Sequence, residues 1–150
     1  CDMGSSFLPS EINAAFLWAQ LEHLEEIQAK RKHIWNRYHD RLKTLEECDC
    51  FRMPDIPDYA TNNAHMFYLV CRSLEERSGL IQVLKDNDIV APFHYLSLHR
   101  SEYYKDKHDG RKLPFCDGYM DTLVRMPLYY ELTDEQQDNI INVVKRYYEE

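Results

Sequence analysis

From about residue 10 to residue 47 the apolar positions recur at three- and four-residue steps: Ile12, Ala15, Phe16, Ala19, Leu24, Ile27, Ile34, Trp35, Tyr38, Leu42 and Leu45. That spacing predicts helix. Pro9 lacks an N–H that a first helical turn does not need, and Ser10 or a neighbour is placed to cap the turn. The stretch Ala14 to Leu21 is apolar all round, which predicts burial on several sides, whereas charged residues fill one face from Glu22 onward. Such length is unusual in a small domain. A bend is therefore expected near Leu21–Leu24, where one helix leaves a large core and enters a smaller one.

The remainder alternates shorter periods. Cys48 to Asn63, with Pro54 and Pro57, reads as a connector, and Ala64 to Arg72 reads as a strand. Ser73 or a neighbour caps a helix to about Asn87 whose inner side carries Leu80, Ile81, Val83 and Leu84. Ile89 to Tyr95 reads as a second strand, placed at an edge or bent by Pro92. Residues 100–113 are polar and read as a surface loop. A short helix follows over about 114–122, then a third strand from Leu123 to Pro127. Thr133-Asp134-Glu135-Gln136 has the form of a capping box and opens a last helix to about Tyr148, with Ile140, Ile141, Val144 and Tyr147 inward. The expected fold class is α+β: a long helix, then a short three-stranded sheet with helices.

Composition narrows the function classes. A length of 150 residues suits one domain. The formal net charge of −8 disfavours nonspecific nucleic-acid binding. No apolar run approaches the roughly 18–20 residues that cross a bilayer. The five cysteines, Cys1, Cys48, Cys50, Cys71 and Cys116, are odd in number and irregular in spacing, which fits reduced thiols in the cytoplasm. The first residue, Cys1, is not a start methionine, and no basic stretch followed by an apolar one opens the chain. We expect a piece of a longer cytoplasmic protein.

Three segments can carry chemistry. Gly4-Ser5-Ser6 joins a flexible backbone to two hydroxyls and nearby N–H groups, a set suited to an oxyanion such as phosphate. His94-Tyr95-Leu96-Ser97-Leu98-His99 follows an expected strand end, where functional side chains commonly sit; the structural alternative is a half-buried strand with two satisfied histidines. Val124-Arg125-Met126-Pro127-Leu128-Tyr129 is expected to be mainly structural, with Arg125 at a substrate edge as the functional alternative. No cysteine or histidine spacing matches a metal site. No Gly-x-Ser-x-Gly elbow and no glycine-rich phosphate loop is present. The eight lysines, Lys30, Lys32, Lys43, Lys85, Lys105, Lys107, Lys112 and Lys145, all read as solvated surface charge.

These residues carry a resemblance. Gly4-Ser5-Ser6-Phe7-Leu8-Pro9-Ser10-Glu11, followed by Ala14-Ala15-Phe16-Leu17-Trp18-Ala19-Gln20-Leu21, resembles the opening of the C-terminal part of the DegT/DnrJ/EryC1/StrS sugar aminotransferases, which use pyridoxal phosphate (PLP). The wording is similar to the branch that aminates dTDP-4-dehydro-6-deoxyglucose. Most of the family reads Gly-x-Asn-x-Arg-Met here, so Ser6 stands at the Asn position and Leu8 at the Arg position. His94 to His99 resembles the family's His-Tyr-x-Pro-Leu-His, with Ser97 in place of Pro and hence an expected loss of loop rigidity. Val124 to Thr133 resembles the segment before the family's last helix. Asn63-Ala64-His65-Met66-Phe67-Tyr68 is worded as in the same branch, with His65 as a packing or supporting histidine rather than a catalyst.

The resemblance implies that residues 1–150 are the small C-terminal domain of a fold-type I PLP-dependent transferase, with the preceding long helix, and that the large PLP-binding domain is absent. It implies no catalytic residue in this chain, because the cofactor-bearing lysine belongs to the large domain, and an inactive fragment. It implies PLP phosphate contacts from Ser5 and Ser6 across a homodimer interface. It implies substrate contacts from His94, Tyr95 and His99, with a nucleotide sugar and glutamate as partners. A related sugar aminotransferase or dehydratase, or a non-catalytic interaction module derived from one, stays open.

Overall fold

The computed structural model describes residues 8–149. It opens with α1 (Glu11–Glu22) and α2 (Leu24–Glu47). The expected bend is a break at His23, whose φ of −109° and ψ of 17° leave helical geometry for one residue. Ser10 caps α1, its hydroxyl accepting from Asn13 N at 3.3 Å. α2 buries Ile34, Trp35, Tyr38, Leu42 and Leu45 along one face. α1 departs from expectation: none of its residues is buried, with Phe16 73% and Trp18 67% exposed. Nothing among the described residues covers its apolar side chains.

Strands β1 (Phe51–Arg52), β2 (Phe67–Cys71) and β3 (Leu123–Met126) form an antiparallel sheet in the order β1-β2-β3. Phe51 pairs with Cys71, and Phe67 with Met126. β1 lies inside the segment read as a connector; two residues are too few to show a period. The strand expected over Ile89–Tyr95 does not form. That segment contributes one bridge, Phe93 to Val124, and Pro92 O accepts from Arg125 N at 2.9 Å. Proline has no N–H to extend a ladder, so the segment lies along β3 without becoming a strand.

Helix α3 (Leu74–Asp86), a single 3-10 turn (Leu98–Arg100), α4 (Pro114–Thr122) and α5 (Asp134–Glu149) complete the chain. The capping box of α5 is closed in both directions: Thr133 N donates to Gln136 Oε1 at 3.1 Å, and Gln136 N donates to Thr133 Oγ1 at 3.2 Å. Phe67, Leu69 and Cys71 share one sheet face by the two-residue period and join α2, α3 and α5 in the core. Tyr38 stacks on Phe67 with ring centroids 5.1 Å apart, and Trp35 meets the same ring edge-on at 5.4 Å. The Tyr38 hydroxyl donates to Pro127 O at 3.0 Å, and Gln137 Nε2 donates to Ile34 O at 2.7 Å. Burial pushes the Cys71 thiol up to about 11, so it stays protonated and serves as core.

Truncating a fully buried side chain costs about 2–5 kcal/mol. Ile141→Ala is expected to lower the stability of this chain by that order in urea denaturation. Phe16→Ala on exposed α1 is expected to change it by less than about 0.5 kcal/mol.

Candidate functional site

The loop from Phe93 to Arg100 is held at two ends. At the first, His94 Nδ1 lies 3.4 Å from Arg125 Nη1, on β3. Burial, then Arg125 and then His65, hold the His94 imidazole below its ordinary value of 6.5, so the ring is neutral near neutral pH. His65 is exposed rather than packed. It follows a turn in which Ala64, fully buried, adopts a φ of 51°. Asn62 Oδ1 accepts from Ala64 N at 2.8 Å, and Arg31 donates to the Ala64 carbonyl at 2.9 Å and to that of His65. These contacts stabilise a left-handed conformation that a residue with a Cβ otherwise avoids.

At the second end, Asp117 on α4 gathers the loop onto one oxygen. His99 Nε2 lies 3.1 Å from Asp117 Oδ1, Arg100 Nε also 3.1 Å, and Ser97 Oγ donates to it at 3.2 Å. Ser97 is buried, and its N–H points to Met120 Sδ at 3.2 Å. These two Ser97 contacts hold the loop at the position where the loss of proline was expected to loosen it. A proline at 97 could make neither contact, and serine replaces ring stiffness with one hydrogen bond from its side chain and one from its backbone N–H. His99 is one wall of a cavity of about 290 Å³ between Leu98, Tyr104, His108 and Cys116. The rings of His99 and His108 lie 5.1 Å apart. His108 Nε2 is buried without a hydrogen-bond partner, at 3.6 Å from Asp109.

The structure thus joins His94 to Arg125, joins His99 to Asp117, and leaves Tyr95 exposed at 74%. The proposed phosphate residues Ser5 and Ser6 lie outside the described residues. Sequence reasoning missed Asp117 and Arg77. Arg77 is buried on α3, donates to Asp121 O at 3.1 Å and sets its guanidinium 4.9 Å from the Phe93 ring centroid, which braces the loop from behind. Both read as surface charge in an amphipathic helix, and no local signal marks them. None of the eight lysines is buried. A lysine that carries PLP needs a pocket that favours its neutral form, so these lysines do not fit that role. Among the described residues no group of three His, Cys, Asp or Glu side chains converges as a metal site, and no helix is long and apolar enough to cross a membrane.

The arrangement of helices and sheet is that of aminotransferases with solved structures. An aminotransferase of pseudoaminic acid biosynthesis from Helicobacter pylori superposes with a TM-score of 0.84 at 19% identity, over 99% of this chain and 40% of that one. A DegT DnrJ EryC1 StrS aminotransferase from Brucella abortus gives 0.76 at 25% identity, over 91% and 35%. A putative sugar aminotransferase from Streptococcus pneumoniae, in its apo form, gives 0.75 at 25%, over 88% and 33%; that protein is also known in forms with PLP and with the aminated cofactor, PMP. The chain belongs to the DegT/DnrJ/EryC1/StrS aminotransferase family, whose model matches residues 2–145. It spans between 33% and 40% of the length of the three structures described.

Asp117→Ala is expected to free the loop: the amides of Arg100 and Ser101, bonded to Ser97 O and Leu98 O, then exchange hydrogen faster. In an NMR titration His94 is expected to titrate below 6.5, and Arg125→Gln to raise its midpoint. The unfolded chain takes up the His94 proton first, so this contribution to stability is complete above pH 6.5 and is lost as pH falls from there through the folded value.

Proposed function

We propose that the full-length protein is a PLP-dependent aminotransferase that moves an amino group from glutamate to C4 of dTDP-4-dehydro-6-deoxyglucose, with this chain as its small C-terminal domain. The observation that carries the reading is a His94–His99 loop pinned at both ends, to Arg125 and to Asp117, in a chain of this family. Pinning fixes where polar side chains point, which is what recognition of a hydroxyl-rich ligand needs. The sugar and its 4-amino product follow from the branch wording of Gly4 to Leu21 and of Asn63 to Tyr68.

In this reading the large domain contributes the lysine, and PLP supplies the electron sink through which an amino group is exchanged. The chain's own part is recognition. Ser5 and Ser6 offer hydroxyls to the cofactor phosphate across a homodimer interface in the cytoplasm. Neutral His94 offers a ring nitrogen to a sugar hydroxyl, Tyr95 adds an exposed hydroxyl, and His99, anchored through Nε2, leaves Nδ1 for the ligand. Ser6 offers one hydroxyl where most relatives place an amide, so its contact is shorter in reach and single. A second reading, an interaction module without catalysis, takes support from the exposed apolar side of α1.

The test is the visible absorbance of the full-length protein. A PLP band that shifts with glutamate and returns with dTDP-4-dehydro-6-deoxyglucose is the expected result. Return with a different keto sugar would correct the substrate, and absence of the band would favour the interaction module. In the same protein His99→Ala is expected to raise KM for the sugar nucleotide about tenfold, the loss of one good hydrogen bond, and to leave KM for glutamate unchanged. Equal effects on both would remove His99 from the site.

A further inference from the structure

The sheet has a second face. Tyr68 and Val70 alternate away from the core, and Arg52 and Leu123 pair with Val70 in register. At the Cys71 end of β2, the end away from His65, α4 crosses this face and leaves a cavity of about 450 Å³. That volume falls in the range of small-molecule sites. One wall is strand: Arg52, Val70 and Arg72. The other is helix: Phe115, Gly118 and Tyr119, with Asp49 at the rim.

Three features of this cavity are unexplained by the fold. Phe115 and Tyr119, one turn apart on α4, are 84% and 44% exposed. Arg72 is paired with Glu76 at 3.0 Å, but Arg52 is exposed with no carboxylate paired to it among the described residues. The third feature is Gly118. Glycine in mid-helix costs about 0.5–1 kcal/mol relative to alanine. A Cβ built on Gly118 would meet nothing within 4 Å, and its φ lies outside the left-handed range. Neither packing nor backbone conformation calls for a glycine there. Its missing side chain leaves open the helix wall that it lines together with Phe115 and Tyr119.

We propose that this cavity binds a nucleotide. The base lies against Phe115 and Tyr119 over Gly118, where aromatic faces offer sequence-tolerant stacking. The phosphate meets Arg52, whose guanidinium fork suits it and which no carboxylate pairs among the described residues. The Asp49 carboxylate accepts from a ribose hydroxyl or a base N–H. The inference stands on this cavity alone and holds whichever sugar the protein aminates.

The experiment places 4-fluorophenylalanine at position 115 of the full-length protein and follows its fluorine resonance during titration with UMP, uridine and inorganic phosphate. A saturable shift with UMP, weaker with uridine and weaker still with phosphate, is the expected result. Gly118→Leu adds bulk where a Cβ meets nothing within 4 Å, and Arg52→Gln removes the charge. Each is expected to weaken UMP binding about tenfold or more, for Arg52→Gln the scale of one lost charge-assisted contact, with aminotransferase activity unchanged and the thermal midpoint not lowered, because replacing a mid-helix glycine favours the helix. A shift that survives both Gly118→Leu and Arg52→Gln would come from nucleotide bound elsewhere in the protein and would overturn the proposal. An unmoved resonance at millimolar UMP would overturn the proposal, as would an equal response to inorganic phosphate, which would leave a plain anion site.

Discussion

The stack of Tyr38 on Phe67 is the contact on which the rest of the molecule depends. It joins the middle of α2 to the first residue of β2, and Trp35 closes on the same ring from the side. Aromatic pairs of this kind add to the burial of large apolar area. The Tyr38 hydroxyl then reaches past the sheet to Pro127 O, so one side chain sets α2, β2 and the end of β3 together. Burial raises the Tyr38 pKa, which keeps that hydroxyl a donor at any working pH. α5 is fixed to the same place by Gln137, fully buried and bonded to Ile34 O.

The loop from Phe93 to Arg100 inherits its position from that frame. β3 carries Arg125 to His94, α4 carries Asp117 to His99, and α3 carries Arg77 to Phe93. Each anchor is a charged group on a strand or α-helix, and its targets lie on irregular backbone at Phe93 and His94 and in the single 3-10 turn at His99. Rigid elements position polar groups more closely than loops do, and here the loop borrows that rigidity by side-chain contact. A carboxylate that serves His99, Arg100 and Ser97 on one oxygen is worth more than a surface ion pair, because Asp117 is 23% exposed and His99 14%.

Two faces of the chain point outward with unspent chemistry. α1 presents apolar residues on all sides, and the relatives of this family are more than twice as long as the chain. The sheet face under α4 presents rings and an arginine around an open glycine. The first face is uniform and suits a broad protein contact; the second mixes charge, ring and void within one cavity and suits a small molecule.

The sequence by itself determined the helices, the α+β class and the family. Period 3.6 over Ile34 to Leu45 and the Thr133–Gln136 box are local features, and local physics places such elements. The break at His23 was legible for the same reason, as a change from all-round to one-sided apolarity. β2 and β3 fall inside the segments that read as strands, Ala64 to Arg72 and Leu123 to Pro127; only the tertiary structure decided β1, the course of Ile89 to Tyr95 and the site. β1 is two residues long and exists because β2 lies beside it; Ile89 to Tyr95 has strand residues but meets β3 at Pro92, which has no N–H to give. His94 and His99 stand five residues apart in one motif, yet they answer to Arg125 and to Asp117, 31 and 18 positions away. Sheet pairing and ion pairing are decided by what the folded chain brings alongside, and no period along the sequence records it.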